Sequence, residues 1–304
     1  MKQLFKYMSV ALFVVLVSFT GCQERYVTYS DAEYIMFADT AGVYPVQLDQ
    51  EYFAVPVVST VVCDYDRTIG VEIVDAGSDA IEDLHYTLKS NTITIKAGEN
   101  KAEVLVAGNY DKIDAEVRPM FKLKLVVPDK VVMPLYGDET KVYMAKCCPF
   151  DINDFTGWCV TSSQFLLQYN QQGTYQRLVY TEKHPSLENT IICRNWLYDG
   201  YDVTISFDPT NPLNPIVKMD AGQVISDEGS VFGIVYGDDK IQAENSTMSE
   251  SVFYPCGRYL YLWTHIFVED LGQSVGTVGH FYNVMEWISD EEADRLKYDG
   301  MEGK

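Results

Sequence analysis

The chain has 304 residues, and Asp and Glu number 44 against 23 for Lys and Arg, which gives a formal net charge of −21. Hydrophobic residues make up 47% of the sequence, too many for a disordered chain and enough for about two domains with cores of their own. The acidic balance repels phosphate backbones, so we expect no nucleic-acid partner.

The N-terminal segment has the residue order of an export signal. Lys2 and Lys6 form a positively charged start, and residues 10–17 form an uncharged apolar run. This run is too short to cross a bilayer as a stable helix. The order therefore predicts that the segment directs export and is then removed.

A cysteine follows this segment directly. Small residues up to Gly21 precede Cys22 in an arrangement that resembles the lipobox of bacterial lipoproteins, although Phe19 stands where Leu is usual. The resemblance implies that residues 1–21 are a lipoprotein signal peptide and that Cys22 is acylated. Residues 22–33 would then tether the protein to a membrane through its lipid. The alternative is a plain signal peptide followed by an incidental cysteine.

The remaining cysteines are even in number, which invites a disulfide interpretation in an exported chain. They are Cys63, Cys147, Cys148, Cys159, Cys193 and Cys256. Cys63 follows two valines and Cys193 follows two isoleucines, a context typical of free cysteines that pack as small hydrophobes. We therefore expect mostly free, buried thiols, with Cys147 or Cys148 to Cys159 the least implausible disulfide. The sequence has no CxxC pair, so no zinc site is predicted.

Alternation of apolar and polar residues dominates the chain, as in residues 67–73, 121–127 and 201–208. Turn signals recur between such runs, and long helical periods are nearly absent. Many short strands with frequent turns are typical of β-sandwiches and β-barrels. The sequence therefore predicts an all-β protein.

The strand pattern divides the chain into two β domains. Residues 34–146 hold about eight candidate strands, enough for an immunoglobulin-like sandwich. Residues 147–288 are rich in aromatic side chains and predict a second β-sandwich or barrel-like domain. The connector at 147–151 is short and stiff, so we expect the domains to touch. Residues 289–304 predict a short terminal helix and tail, because Ser289 and the glutamate three residues later form a capping box.

Residues 78–106 carry a more specific pattern. His85 and Tyr86 precede a short alternating strand, the turn Lys-Ala-Gly-Glu at 96–99, and a return strand at 102–106. This order resembles the Calx-beta type of sandwich. The resemblance implies an immunoglobulin-like first domain, and many such domains bind calcium through acidic loops.

Two departures from that family argue against a calcium site. His85 stands in place of an aspartate, and Gly108-Asn109 follows the return strand where adjacent aspartates are common. The nearby acids do not form an EF-hand-like series. These acids are Asp64, Asp66, Asp75, Asp79 and Asp83. We therefore predict no metal, and an adhesion-type spacer that does not need calcium.

The whole chain also resembles a group of two-domain Bacteroidetes lipoproteins without an established role, partly through Asp-Phe-Thr-Gly-Trp at 154–158. The resemblance implies a lipid-anchored protein of the cell envelope, in the outer membrane. Gln-Glu-Arg at 23–25 is a poor match to the surface-export signal of such proteins, so the periplasmic and surface faces stay open. Thr40 lies in a three-residue pattern for O-glycosylation in those bacteria, and a plain turn is the alternative.

One strand of the second domain separates its side chains into two classes. Over residues 259–268, Tyr259, Tyr261, Trp263 and His265 fall on one face with Phe267, and aliphatic residues with Thr264 fall on the other. A single core needs only the aliphatic face. The sequence therefore predicts that the first four side chains contact a ligand, for which a glycan or an envelope protein is the candidate. The alternative is that a second packed layer covers the rings.

The sequence predicts no enzyme, no catalytic residue and no cofactor. It has no HExxH motif and no phosphate-binding glycine loop. Several acids lie near aromatic residues, and any pair among them would be arbitrary. These acids are Asp199, Asp202, Asp208, Asp238, Asp239 and Glu286. The expected function is a non-catalytic binding or adhesion accessory lipoprotein. The alternative is an extracellular polysaccharide hydrolase with two carboxyl groups roughly 5–10 Å apart.

Overall fold

The computed structural model describes residues 33–170, 174–299 and 301. The predicted signal peptide, the acylation site Cys22 and nearly all of the tether lie outside these residues. The described residues form nineteen strands and three α-helices, which confirms the all-β prediction. Their hydrophobic side chains form two separate cores, one drawn from residues 35–144 and the other from residues 155–287.

Two sheets enclose the first core. Their strands are β1 (Ile35–Phe37), β2 (Ala41–Gln47), β3 (Phe53–Ser59), β4 (Arg67–Val74), β5 (Tyr86–Leu88), β6 (Thr92–Ile95), β7 (Lys101–Gly108), β8 (Met120–Val126) and β9 (Glu139–Cys147). One sheet has the order β1-β3-β7-β5, and the other has the order β2-β9-β8-β4-β6. Alternation along β3 and β8 points Val55 and Leu123 into the shared core, so the two sheets form a sandwich. The chain changes sheets between β1 and β2, and β2 pairs in parallel with β9.

A ten-stranded sheet encloses the second core. Its strands are β10 (Gly157–Ser163), β11 (Gln176–Lys183), β12 (Thr190–Arg194), β13 (Val203–Asp208), β14 (Ile216–Met219), β15 (Gln223–Ser226), β16 (Ile241–Asn245), β17 (Val252–Tyr254), β18 (Tyr259–Asp270) and β19 (Gln273–Trp287). The long strand β19 pairs with both β10 and β18. Because of this double pairing, the strands between β18 and β10 close into a barrel-like ring, and β15 and β16 extend from it.

The helices are α1 (Gln164–Tyr169), α2 (Glu228–Phe232) and α3 (Asp290–Tyr298). The terminal helix α3 begins as predicted, because the Ser289 hydroxyl accepts a hydrogen bond from the Glu292 amide at 3.2 Å. The helices α1 and α2 were not predicted, because they have six and five residues and are too short to show a helical period. None of the helices in the described ranges has the length and apolarity needed to cross a membrane.

One disulfide joins Cys148 to Cys256, across 108 residues. The predicted link between Cys147 or Cys148 and Cys159 is therefore wrong. Cys159 lies on β10 with its thiol inside the second core, where burial raises its pKa to about 12. Cys148 instead lies in the connector, against the turn between β17 and β18. Cys147, Cys159 and Cys193 are free and buried as expected, whereas Cys63 is only half-buried.

Candidate functional site

The central strand β18 has one face in the second core and one face outside it. Leu260, Leu262 and Ile266 are fully buried, whereas Tyr259 and Trp263 on the opposite face are half-buried. This arrangement agrees with the predicted separation of the two faces. The ring face is partly open to solvent, so it is neither fully exposed nor covered by a second packed layer.

Five rings touch one another on this outer face, and we call them the aromatic ladder. They are Tyr254 on β17, Tyr259, Tyr261 and Trp263 on β18, and Tyr282 on β19. Centroid distances along the ladder are 4.8 Å from Tyr254 to Tyr259, 5.4 Å from Tyr259 to Tyr261, 5.3 Å from Tyr261 to Tyr282, and 5.1 Å from Tyr282 to Trp263. The register places Tyr254 opposite Tyr259 and Tyr282 opposite Trp263. The ladder is thus a continuous surface across three strands, with apolar rings and polar phenol and indole groups.

The polar atoms of the ladder face a mixed environment. The indole N–H of Trp263 makes no hydrogen bond to any described residue, and it is not among the buried atoms. It is therefore open to solvent and free to donate to a ligand. Burial and, to a smaller extent, the neighbouring Tyr261 phenol raise the pKa of Tyr282 to about 12. The phenol of Tyr282 thus stays protonated, and remains a hydrogen-bond donor, well above neutral pH.

His265 is engaged by its neighbours. Its Nδ1 lies 3.0 Å from a carboxylate oxygen of Glu244, and its Nε2 lies 3.1 Å from the hydroxyl of Thr277. The ring also stacks on His280 at 4.8 Å. Both ring nitrogens thus have partners within the protein, so His265 is the least available of the four predicted ligand-binding side chains.

Phe267 continues the ring face in the sequence but is 8% exposed in the structure. The pairing of β18 with β19 shifts register between Ile266 and Phe267, and the extra residue, Val278, lies on β19. Phe267 packs against His265 with a centroid distance of 5.2 Å. The open part of the ring face therefore ends before Phe267.

The acids considered for a hydrolase are mostly engaged elsewhere. Their partners are Arg177 for Asp199, Arg194 for Asp202, the Thr210 amide for Asp208, Lys240 for Asp238 and the Gly229 amide for Asp239. Hydrogen bonds from Thr210 lower the pKa of Asp208, whereas a general acid needs a raised pKa. Glu286 is exposed and lies opposite Tyr259 in the strand register.

The positions where Calx-beta domains often carry acids have structural partners here. The Nδ1 of His85 accepts a hydrogen bond from the Ile81 amide at 2.9 Å, and the side-chain amide of Asn109 donates to the Leu84 carbonyl at 3.0 Å. Among the described residues, no group of three or more His, Cys, Asp or Glu side chains is placed to hold a metal ion. The predicted glycosylation residue Thr40 is exposed in the turn before β2.

The fold and the ring surface define an all-β protein with an aromatic face on its second core. The sequence profile described as "Domain of unknown function (DUF4984)" matches residues 135–299. This range is more than half of the 304 residues, and the chain belongs to the DUF4984 family. The match confirms the predicted resemblance to proteins without an established role.

Three of the solved structures that resemble this chain show the range of the comparison. A structure of unknown function from Bacteroides ovatus is 11% identical, with coverage of 84% of this chain and 94% of its own and a TM-score of 0.33. An auxiliary nutrient binding protein from Bacteroides thetaiotaomicron VPI-5482 is 14% identical. The match covers 82% of this chain and 89% of that protein, with a TM-score of 0.30. The apo-form Calx CBD1 domain is 17% identical. The match covers 38% of this chain and 98% of that domain, with a TM-score of 0.30. No curated protein matches this chain.

Proposed function

We propose that this protein is a non-catalytic binding protein that holds a glycan against its aromatic ladder. The observation that carries the proposal is the position of the rings. The aliphatic face of β18 supplies the core, so the core does not require the half-open rings on the other face. Aromatic faces suit the apolar side of a sugar ring, and phenol and indole groups hydrogen-bond its hydroxyls.

Truncation of one ladder ring tests this proposal. We expect Trp263→Ala to weaken glycan binding at least about tenfold, because the sugar loses a stacking surface and a donor. The free energy of unfolding should fall by less than about 1 kcal/mol if the ring is a platform, against about 3–5 kcal/mol if it is core. A glycan array identifies the probe, and titration calorimetry with that oligosaccharide measures the dissociation constant.

The matched control is Tyr298→Ala, because Tyr298 is 92% exposed in α3 and lies outside the ladder. This variant should bind the oligosaccharide as tightly as the wild type does. Absence of any glycan bound by the wild type, or a large loss of stability in Trp263→Ala, contradicts the proposal. Release of reducing sugar by the wild type contradicts its non-catalytic part.

We further propose that the protein works at the cell envelope, anchored in the outer membrane by a lipid on Cys22. The support is the order of charged, apolar and small residues before Cys22. Cys22→Ser should leave the protein unprocessed or soluble, as measured by membrane fractionation and by the mass of the N-terminal peptide. Unchanged fractionation and unchanged mass would overturn the lipid anchor while leaving the glycan proposal intact.

A further inference from the structure

A cleft of about 210 Å³ opens where the two cores meet. Its walls come from residues 115–118 before β8, residues 145–148 at the end of β9, the 212–215 loop and the β17–β18 turn. We call it the junction cleft. The cleft is smaller than the roughly 300 Å³ at the low end of sites for drug-sized ligands. Its size therefore suits a single small ring.

The junction cleft continues the aromatic ladder. Tyr254 and Tyr259 line it, and their rings stack at a centroid distance of 4.8 Å with an interplanar angle of 26°. Tyr259 also touches Tyr261, the next ring of the ladder. A chain of rings thus runs without a break from Trp263 into the cleft.

The first core contributes three charged side chains to the same cleft, those of Glu116, Arg118 and Lys146. The Lys146 ammonium already lies over the Tyr110 ring, 4.3 Å from its centroid. Glu116 and Arg118 are exposed, and neither makes an ion pair within the part of the chain that the structure describes. Burial raises the pKa of Tyr259 most, followed by the neighbouring tyrosines and then by the charge of Glu116. This last contribution agrees with the position of Glu116 close to the Tyr259 ring. A carboxylate accepts and a guanidinium donates hydrogen bonds, so together they can bind neighbouring hydroxyls of one sugar.

The disulfide fixes the wall between these groups. Cys148 and Cys256 both line the cleft, so the bond ties the connector after β9 to the turn that carries Tyr254 and Tyr259. A wall held in place loses less conformational entropy when a ligand binds. The cleft is thus built from both cores and held by a covalent bond.

We propose that the junction cleft binds one pyranose unit of the glycan, with its apolar face on the outer face of the stacked Tyr254–Tyr259 pair and its hydroxyls on Glu116 and Arg118. This inference rests on the proposed function and deepens it, because it makes the first core part of the site. The rest of the glycan then lies along the ladder towards Trp263. Specificity for the unit in the cleft comes from the two charged side chains, because rings alone do not select among hydroxyl arrangements.

The test uses the full protein and the oligosaccharide that the glycan array identifies. Glu116→Gln and Arg118→Ala should each raise its dissociation constant about tenfold or more, the loss expected for a hydrogen bond to a charged group. Both side chains are exposed, so the unfolding midpoints should stay at the wild-type value. The matched controls are Glu139→Gln and Arg295→Ala, exposed residues outside the cleft, and both should bind as the wild type does.

A second measurement locates the unit directly. In NMR spectra with labelled tyrosine and tryptophan, the methyl glycoside of that unit should shift the signals of Tyr254 and Tyr259 and leave Trp263 unchanged. If Trp263→Ala abolishes oligosaccharide binding while Glu116→Gln and Arg118→Ala bind normally, the cleft proposal is overturned and the ladder proposal stands. If the wild type binds no glycan, both fail.

Discussion

At the scale of single residues, Thr181 on β11 holds together three parts of the second core. Its buried hydroxyl donates a hydrogen bond to the Phe155 carbonyl at 3.0 Å. The same hydroxyl accepts a hydrogen bond from the indole N–H of Trp287 at 2.8 Å. Thr181→Val keeps the side-chain shape but leaves that N–H without a partner. We expect the free energy of unfolding to fall by about 1–3 kcal/mol, as measured by urea denaturation.

Two further variants isolate the hydroxyl of Thr181. Thr181→Ser keeps the hydroxyl and should recover most of the hydrogen-bond contribution, although it removes a methyl group. Thr247→Val is the control, because Thr247 is exposed and makes no side-chain hydrogen bond, and its effect should stay within about 0.5 kcal/mol. A Thr181→Val protein as stable as the wild type would show that the Trp287 N–H finds another partner.

At the scale of elements, the β18–β19 pair places Tyr282 where its ionisation opposes folding. The pKa of Tyr282 is raised to about 12, whereas tyrosine in an unfolded chain titrates near 10. The neutral phenol therefore contributes stability that is fully present below pH 10 and is lost as the pH rises from about 10 to 12. Tyr282→Phe should make the unfolding midpoint fall less steeply between about pH 10 and 12.

The control for this pH dependence is Tyr298→Phe on α3, where the side chain is 92% exposed. Denaturation at several pH values should show the wild-type slope in this control. An equal slope in Tyr282→Phe would mean that Tyr282 ionises as readily in the folded protein as in the unfolded chain.

The same elements show how far sequence reasoning reaches. Period-two alternation was enough to assign Leu262 to the core and Trp263 to the outer face, because both follow from local strand geometry. Tyr254 and Tyr282 belong to the same ladder but were missed. Their places depend on strand pairing and register, which the sequence does not contain locally. Phe267 lies beside His265 as the alternation predicts, but its burial depends on neighbouring parts of the fold and not on the strand pattern.

At the scale of the whole molecule, the sequence predicted β structure and left open whether the second domain is a sandwich or a closed, barrel-like sheet. The ring closes only because β19 pairs with β10 on one edge and with β18 on the other. The disulfide was hidden in the sequence, because Cys148 and Cys256 are 108 residues apart and are brought together only by the tertiary fold. The positions of Glu116 and Arg118 could not be predicted either, because these residues share a cleft with Tyr259 only where the two cores meet.

The Cys148–Cys256 bond makes a whole-molecule prediction, because it closes a loop of 108 residues in the unfolded chain. Cross-linking so long a loop limits the unfolded ensemble strongly, so we expect Cys148→Ser with Cys256→Ser to lower the free energy of unfolding by about 2–5 kcal/mol. Chemical denaturation without reductant measures this difference. The wild type in reductant should approach the double variant, whereas Cys63→Ser, which removes a free thiol, should denature as the wild type does. A double variant with wild-type stability would show that packing at the junction of the two cores alone holds the connector in place.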